Sequence, residues 1–218
     1  NGPIKDINKY KKLLDKVLFN KKINFNTYPS LEAQVAGISD DIAYNNHDLE
    51  DGLRAGLFSI KQLIKIPILS NIIKKHLKNI KNYRREIIIS QIIRNLINLM
   101  VIDVINTTNK NLIVTKPKSP NDIYKEDHLI VDFSEKMKRM DFQLKAFLKK
   151  NMYCHKKVIA NTNKGKKIIS NLFKHLIKNP KKYISKELFN HDQKERIIAD
   201  FIAGMTDRYA INLNKKIK

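Results

Sequence analysis

Several residue types that mark whole classes of protein are scarce in this chain of 218 residues. It has one cysteine, Cys154, which cannot form an intramolecular disulfide, and only six glycines and six prolines. These shortages argue against a disulfide-stapled secreted domain, a collagen-like repeat and a largely disordered linker. The first residues, Asn1 to Lys5, carry no apolar signal-peptide core. We therefore expect a globular protein in a reducing, cytoplasmic compartment.

Arginine is also scarce beside lysine, with 7 Arg against 36 Lys, although the net charge is +22. A charge of this size ordinarily favours a nucleic-acid partner, because lysine and arginine release phosphate counterions on binding. Proteins that read a base sequence favour the forked guanidinium of arginine, however. Lys, Ile and Asn together supply 93 of the 218 residues, and all three have A- and T-rich codons. The same excess of lysine would follow from a drift in codon composition, without selection for binding, so nucleic-acid binding stays open but disfavoured.

The sequence predicts an all-α fold, because apolar residues recur at spacings of three and four and no β-type alternation is present. Ser30 is a suitable N-cap for a helix that runs to about Asn46 or beyond and closes near Gly52 or Gly56. The other predicted helices span 4–19, 59–79 with a bend near Pro67, 83–107, a segment opened by Ser134, 164–177 and 193–209.

Residues 114–127 form the one predicted loop, which we expect to be mobile because it contains Pro117 and Pro120. No internal repeat and no linker rich in glycine or serine divides the chain, so we expect one domain over residues 1–218. The helix over 83–107 is apolar on most sides, which is typical of a central core helix. Polar residues such as Gln91 and Arg94 interrupt it too often for a membrane span, so no membrane partner is expected.

The segment from Ser30 to Arg54 contains the strongest candidates for metal-binding and substrate-binding side chains. Asp40, Tyr44 and Asp48 recur every four residues and so share one face of the predicted helix, away from its apolar stripe. Two carboxylates and a phenol on one face could hold a hard cation and hydroxyl groups. The alternative is an ordinary solvated face. His47 diverges from Asp48 by about 100° on a helix, so adjacency alone does not make the two a metal-binding pair.

Residues 27–58 resemble the HD-domain dNTP triphosphohydrolases, which include the deoxyguanosine triphosphate triphosphohydrolases of bacteria. The resemblance rests on three runs, 27–34, 40–48 and 51–57, which follow the family's pattern almost letter for letter. It continues at Asn1-Gly2-Pro3, at 144–155 and at 200–210, where the sequence is similar to the family's C-terminal signature. The resemblance therefore spans the whole chain.

This resemblance implies an HD-type helical fold and a metal-dependent hydrolysis of dGTP or another dNTP to deoxynucleoside and triphosphate. Asp40 looks like the family's distant metal-binding aspartate, with Mg or Mn as the expected ion. Tyr44 and Asp48 look like the residues that flank the deoxyribose. Tyr153 and His155 resemble the wall beside the base, and Lys145 resembles a residue that faces phosphates.

The chain departs from the family pattern in ways that matter for activity. The family's first His and its His-Asp pair lie upstream of the matched region, and Cys154 stands where the family usually has arginine. We therefore expect the C-terminal part of such an enzyme, inactive alone, with a possible homo-oligomer or a companion N-terminal chain as partner. Two alternatives stay open: an inactive remnant that senses nucleotides or forms oligomers, and a basic helical protein that binds single-stranded nucleic acid.

Overall fold

The computed structural model describes residues 3, 24, 26–77, 83–185 and 193–217. In these ranges the chain forms helices and no strand, which confirms the all-α prediction. Their contacts divide the chain into two compact units, a first unit of residues 1–152 and a second unit of residues 153–218. Whether the two units fold as one domain is a question of cooperativity, so the single-domain interpretation stays a prediction. The helix predicted over 4–19 lies outside the described residues.

The helices of the first unit follow one another with short connections. They are α1 (Leu31–Arg54), α2 (Ile60–Leu63), α3 (Pro67–Leu77), α4 (Arg85–Thr115), α5 (Pro120–Lys125) and α6 (Glu135–Leu148), which a π-helical turn (Lys149–Tyr153) continues. The second unit contains α7 (Lys156–Lys178), a 3-10 turn (Pro180–Lys182), α8 (Lys194–Ala203) and α9 (Asp207–Lys216).

Helix α1 begins and ends where its sequence predicts. The Ser30 hydroxyl accepts a hydrogen bond from the backbone N–H of Ala33 at 3.4 Å, which caps one of the free N–H groups of the first turn. The helix ends at Arg54, and Gly56 follows with a φ of +67°, a conformation that glycine adopts without strain. A side chain at Gly52 would collide with the Phe58 ring, so this glycine lets the chain turn back closely against α1.

Helix α4 is the longest helix in the described part of the chain, and α1, α3 and α4 pack together in the first unit. Its apolar residues reach the core that also holds Leu49 and Leu53 of α1, both fully buried. Among the described residues, α4 is the one helix long and apolar enough to cross a membrane, and a buried core helix meets the same criteria. The prediction that no membrane is a partner stays a prediction. The buried residues of α4 are Ile88, Ile89, Ile92, Ile93, Leu96, Met100 and Val104.

The loop predicted over 114–127 is wrong at its start and in its second half. The helix predicted over 83–107 extends to Thr115, and residues 120–125 form α5. Ser119 and Asp122 make a capping box, in which the Asp122 carboxylate accepts from the Ser119 backbone N–H at 2.9 Å. Proline at the first helical position, Pro120, favours the same start because its missing N–H is not needed there. The turn signals in this segment thus mark the beginning of a helix rather than its absence.

The helix predicted over 193–209 is two helices, α8 and α9. Gly204 ends α8, and the Thr206 hydroxyl accepts from the Tyr209 N–H at 3.3 Å to cap α9. Helix α7 begins at Lys156, eight residues before the predicted start. In the second unit the three helices enclose a core of their own. Its buried members are Leu172, Leu176, Ile184, Ile198 and Leu213.

Candidate functional site

The candidate site of the first unit is the face of α1 that carries Asp40, Tyr44 and Asp48. The buried side chains of α1, such as Ile42 and Leu49, lie on the opposite side of the helix, as the arithmetic of 100° per residue requires. Asp40 is exposed, Tyr44 is 60% exposed and Asp48 is half-buried. The sequence prediction that these three share a face distinct from the core stripe is therefore consistent with their burial.

Asp41, the next residue along, belongs to a different cluster. It lies at the contact between α1 and α6, where its carboxylate is 3.4 Å from the Lys145 ammonium. Lys145 also pairs with Asp141, one turn earlier on α6, at 2.8 Å. The buried Asn45 amide donates to the other oxygen of Asp141 at 3.1 Å. Two residues from each helix thus form a polar cluster of Asp41, Asn45, Asp141 and Lys145, which we call the α1–α6 clamp.

The electrostatics of the α1–α6 clamp favour the charged form of Lys145. Partial burial opposes that charge, but the hydrogen bond and negative charge of Asp141, helped by Asp41, outweigh it and raise the pKa of Lys145 above its usual value. Lys145 therefore neutralises two carboxylates at the helix contact. Its predicted contact with substrate phosphates stays a prediction, and the structure adds a role for it in joining α1 to α6.

A buried amide fixes a second segment next to this site. The Gln34 side-chain carbonyl accepts from the backbone N–H groups of Ile130 and Val131 at 2.9 and 3.0 Å. Its amide nitrogen donates to the Pro29 carbonyl at 2.8 Å, so both the oxygen and the nitrogen of this side chain have a partner, although the residue is only 4% exposed. The segment before α6 is thereby held against the first turns of α1.

A cavity of about 250 Å³ opens between these parts of the first unit, beside Asp41. Three carboxylates and one lysine line it together with apolar side chains, so its wall mixes charged and apolar groups. The lining residues are Gln34, Gly37, Ile38, Asp41, Leu129, Val131, Asp132, Phe133, Lys138 and Asp141. Lys138 is held at 2.6 Å by Asp132, whose hydrogen bond raises the pKa of this lysine.

The remaining predicted site residues, Tyr153 and His155, belong to the second unit. Tyr153 ends the π-helical turn and is 40% exposed. His155 is the N-cap of α7, where its Nδ1 accepts from the Lys157 N–H at 3.3 Å. Cys154 between them is exposed. Their assignment to the base-binding wall stays a prediction, and the capping role of His155 is an additional structural one.

Asp40 offers a carboxylate, but the described residues do not form a complete metal site around it. Asp40 takes part in no ion pair in the described ranges, and its carboxylate is a suitable ligand for a hard divalent ion. The one group of three possible ligands found in these ranges is Glu126, Asp127 and His128, which does not include Asp40. That group is largely exposed and its residues are consecutive, with His128 hydrogen-bonded to Asp127 at 2.7 Å. Asp40 therefore fits an ion only as one ligand among others.

Sequence reasoning missed Gln34, Asn45 and Asp141, the polar groups that hold the site together. Gln34, Asp41 and Asn45 recur at spacings of seven and four, so they follow one line along α1 at the edge of its apolar stripe. This line was a signal available in the sequence. The partner residue Asp141, 96 residues from Asn45, carries no comparable local signal.

Comparisons with known proteins agree with this picture. Residues 131–216 match the phosphohydrolase-associated domain family. A deoxyguanosinetriphosphate triphosphohydrolase-like protein of Pelagibacter ubique is 49% identical over 217 residues, which cover 100% of this chain and 58% of the relative. Proteins with the same name from Brucella anthropi and Nitrosomonas europaea are 35% and 38% identical over 91% and 84% of this chain, and over 51% and 49% of their own lengths.

The chain thus spans about half the length of the curated relatives it matches, as the resemblance to only part of such an enzyme predicts. The matches extend over both units, from the α1 face to the last helix. Over its whole length the chain is similar to part of the deoxyguanosinetriphosphate triphosphohydrolase-like protein of Pelagibacter ubique, and its C-terminal residues match the phosphohydrolase-associated domain.

Proposed function

We propose that this chain supplies one metal ligand and part of the deoxynucleotide pocket of an enzyme that hydrolyses dGTP, or another dNTP, to deoxynucleoside and triphosphate. The observation that carries the proposal is the α1 face of Asp40, Tyr44 and Asp48, which points away from the core of the first unit. The similarity to deoxyguanosinetriphosphate triphosphohydrolase-like proteins and to the phosphohydrolase-associated domain supports a phosphohydrolase chemistry for this face.

In this proposal the residues of α1 have different roles, which depend on their position along the helix. Asp40 holds a divalent ion, Mg or Mn, together with ligands that the described residues do not supply. Such an ion, when bound, stabilises charge on a phosphate and lowers the pKa of a coordinated water. Asp48, two turns further along, accepts a hydrogen bond from a sugar hydroxyl, and the Tyr44 ring between them packs against the deoxyribose.

The α1–α6 clamp gives this face a fixed orientation. Asp141 on α6 accepts a hydrogen bond from Asn45 on α1, and Lys145 on α6 forms an ion pair with Asp41 on α1. A second ion pair, within α6, joins Lys145 to Asp141. A helix held on one side cannot rotate freely about its axis, so Asp40 keeps its direction relative to the core. Precise placement of ligands within a fraction of an ångström is what metal and substrate sites require.

A fusion protein tests the proposal. The part of the Pelagibacter ubique relative that the match does not include is joined to this chain, and release of triphosphate from dGTP is measured with Mg or Mn. We expect activity from the fusion and none from the 218-residue chain alone, because one carboxylate does not hold a hydrated divalent ion against water. A folded fusion that binds metal but releases no triphosphate from any dNTP would contradict the proposal and favour the inactive, nucleotide-sensing alternative.

A further inference from the structure

Helix α7 in the second unit presents a row of lysines that the proposed hydrolysis does not use. We define its lysine face as Lys156, Lys164, Lys167, Lys174 and Lys178. At 100° per residue these five positions fall within about 80° of one another, opposite the buried Leu172 and Leu176. All five side chains are exposed. The row extends about 33 Å along the helix at 1.5 Å per residue.

Helix α7 has no acidic residue of its own to balance its charge. Helix α7 carries seven lysines and no Asp or Glu, and none of the seven is ion-paired within the described ranges. The sequence from 142 to 186 contains 13 lysines and no acidic residue at all. If the 21 acidic residues of the chain were spread evenly over its 218 positions, about four would fall in such a stretch of 45. A codon-driven excess of lysine explains the lysines but not the missing carboxylates.

The arrangement also works against the stability of the isolated helix. Lys156 and Lys157 stand in the first turn, at the positive end of the helix dipole, where acidic residues are favourable. Lys174 and Lys178 are like charges one turn apart, which repel each other. A negatively charged partner along the lysine face would relieve both effects.

We propose that the lysine face of α7 binds the phosphate backbone of duplex DNA without sequence preference. Lysine suits this role because it acts as a point charge toward phosphate and lacks the fork that reads bases. No aromatic side chain lies among the five lysines: Phe173 of α7 is on another side and packs against the core of the second unit. Single-strand binding ordinarily uses aromatic rings as stacking platforms, so a duplex is favoured.

An anionic membrane is a poorer fit for this face. Helices that lie in a membrane interface insert an apolar face beside their basic one. In α7 Leu172 and Leu176, opposite the lysine face, are fully buried in the protein core and are not available for insertion. The exposed large apolar side chains of this helix are Ile159 and Ile169, 41% and 54% exposed, and two isolated side chains do not form a continuous apolar face.

The experiment measures binding of the 218-residue chain to a labelled 20-base-pair duplex by fluorescence anisotropy between 50 and 200 mM salt. The test variant replaces four lysines of the face with glutamine, which has similar helix propensity. The matched control makes the same change of charge at four exposed lysines of the first unit. The test set is Lys164, Lys167, Lys174 and Lys178, and the control set is Lys61, Lys65, Lys74 and Lys110.

The logarithm of the association constant falls as the logarithm of the salt concentration rises. We expect the test variant to make this slope less steep by about 3 to 4, because each lost phosphate contact contributes about 0.9. The affinity of the test variant at 100 mM salt should fall at least tenfold. The control variant should change the slope by less than about 0.9, the value of one phosphate contact. Replacing the same four lysines with arginine should keep the slope. The proposal would be overturned if the test and control variants lost duplex affinity equally, or if neither variant lost any. Tighter binding of a single strand of equal length, or competition by anionic vesicles but not by duplex, would also overturn it.

Discussion

Helices α1 and α7 are almost equal in length and opposite in charge. Helix α1 has 24 residues with six acidic side chains, one arginine and no lysine. Helix α7 has 23 residues with seven lysines and no acidic side chain. Both bury one side in the core of their own unit and expose the other. Their exposed faces therefore offer different chemistry, carboxylates for cations and hydroxyl groups on α1 and ammonium groups for phosphates on α7.

The difference shows that composition is not uniform along the chain. With 36 lysines in 218 residues, an even spread would place about four in a helix of 24, and α1 has none. A lysine among Asp40, Tyr44 and Asp48 would pair with the carboxylates and compete with a metal ion. The charge of a whole protein is thus a weaker guide to function than the charge of each helix face.

On the α1 face, the largest effect expected after that of Asp40 comes from Asp48. Asp48→Asn in the fusion protein should lower kcat/KM for dGTP about 10- to 100-fold, the equivalent of the roughly 1.5–3 kcal/mol of a hydrogen bond to a charged group. Metal content and melting temperature are the controls, and both should stay close to those of the parent. If Asp48→Asn instead removes the metal, the sugar-binding role assigned to it is wrong.

Two glycines give a matched comparison of packing in α1 and α7. Gly52→Ala should destabilise the first unit by about 1–3 kcal/mol, since the new methyl group meets the buried Phe58 ring, which packs edge-on to Phe147 with centroids 5.0 Å apart. Gly165→Ala should stabilise the second unit by about 0.4–1 kcal/mol, because nothing lies within 4 Å of the added atom.

Urea unfolding of both glycine variants measures these changes and tests the single-domain prediction at the same time. One cooperative transition, shifted in opposite directions by the two substitutions, is the result that a single domain predicts. Two transitions, each moved by only one substitution, would show that the units unfold separately. A stabilising Gly52→Ala would contradict the close approach of Phe58.

The smallest effect concerns the α1–α6 clamp. Lys145→Met should cost less than about 1 kcal/mol at neutral pH, because the Lys145 side chain is 44% exposed and such pairs are weak. The pKa of Lys145 is raised in the folded protein, so its contribution is complete below the unfolded pKa near 10.4 and is lost as pH rises through the higher folded value. The difference in unfolding free energy between the parent protein and Lys145→Met should be constant from pH 6 to 9 and should shrink above about pH 10.5. A difference that grows at high pH would contradict the ion pairs.

Local signals in the sequence predicted α1 well. Its cap at Ser30, its end near Gly56 and the common face of Asp40, Tyr44 and Asp48 follow from spacing and capping rules alone. The contacts of Gln34 with Ile130 and of Asn45 with Asp141 could not be predicted, because they join residues 96 apart in the chain and depend on how helices pack. The sequence did contain a signal that the last predicted helix is divided, namely Gly204 followed by the capping residue Thr206. The regular spacing of apolar residues across this point led to the prediction of a single helix instead.

In the proposed enzyme Asp40 and Asp41, which are adjacent and equally charged, serve different partners. The most direct test is the Mg or Mn content of the fusion protein carrying Asp40→Asn or Asp41→Asn, measured with triphosphate release from dGTP. Asp40→Asn should strip the metal and lower turnover about 1,000-fold or more, because the ion contributes several kcal/mol to the transition state. Asp41→Asn should keep the metal and change turnover little, since Lys145 stays paired with Asp141 at 2.8 Å. Metal lost from Asp41→Asn and retained by Asp40→Asn would contradict the account.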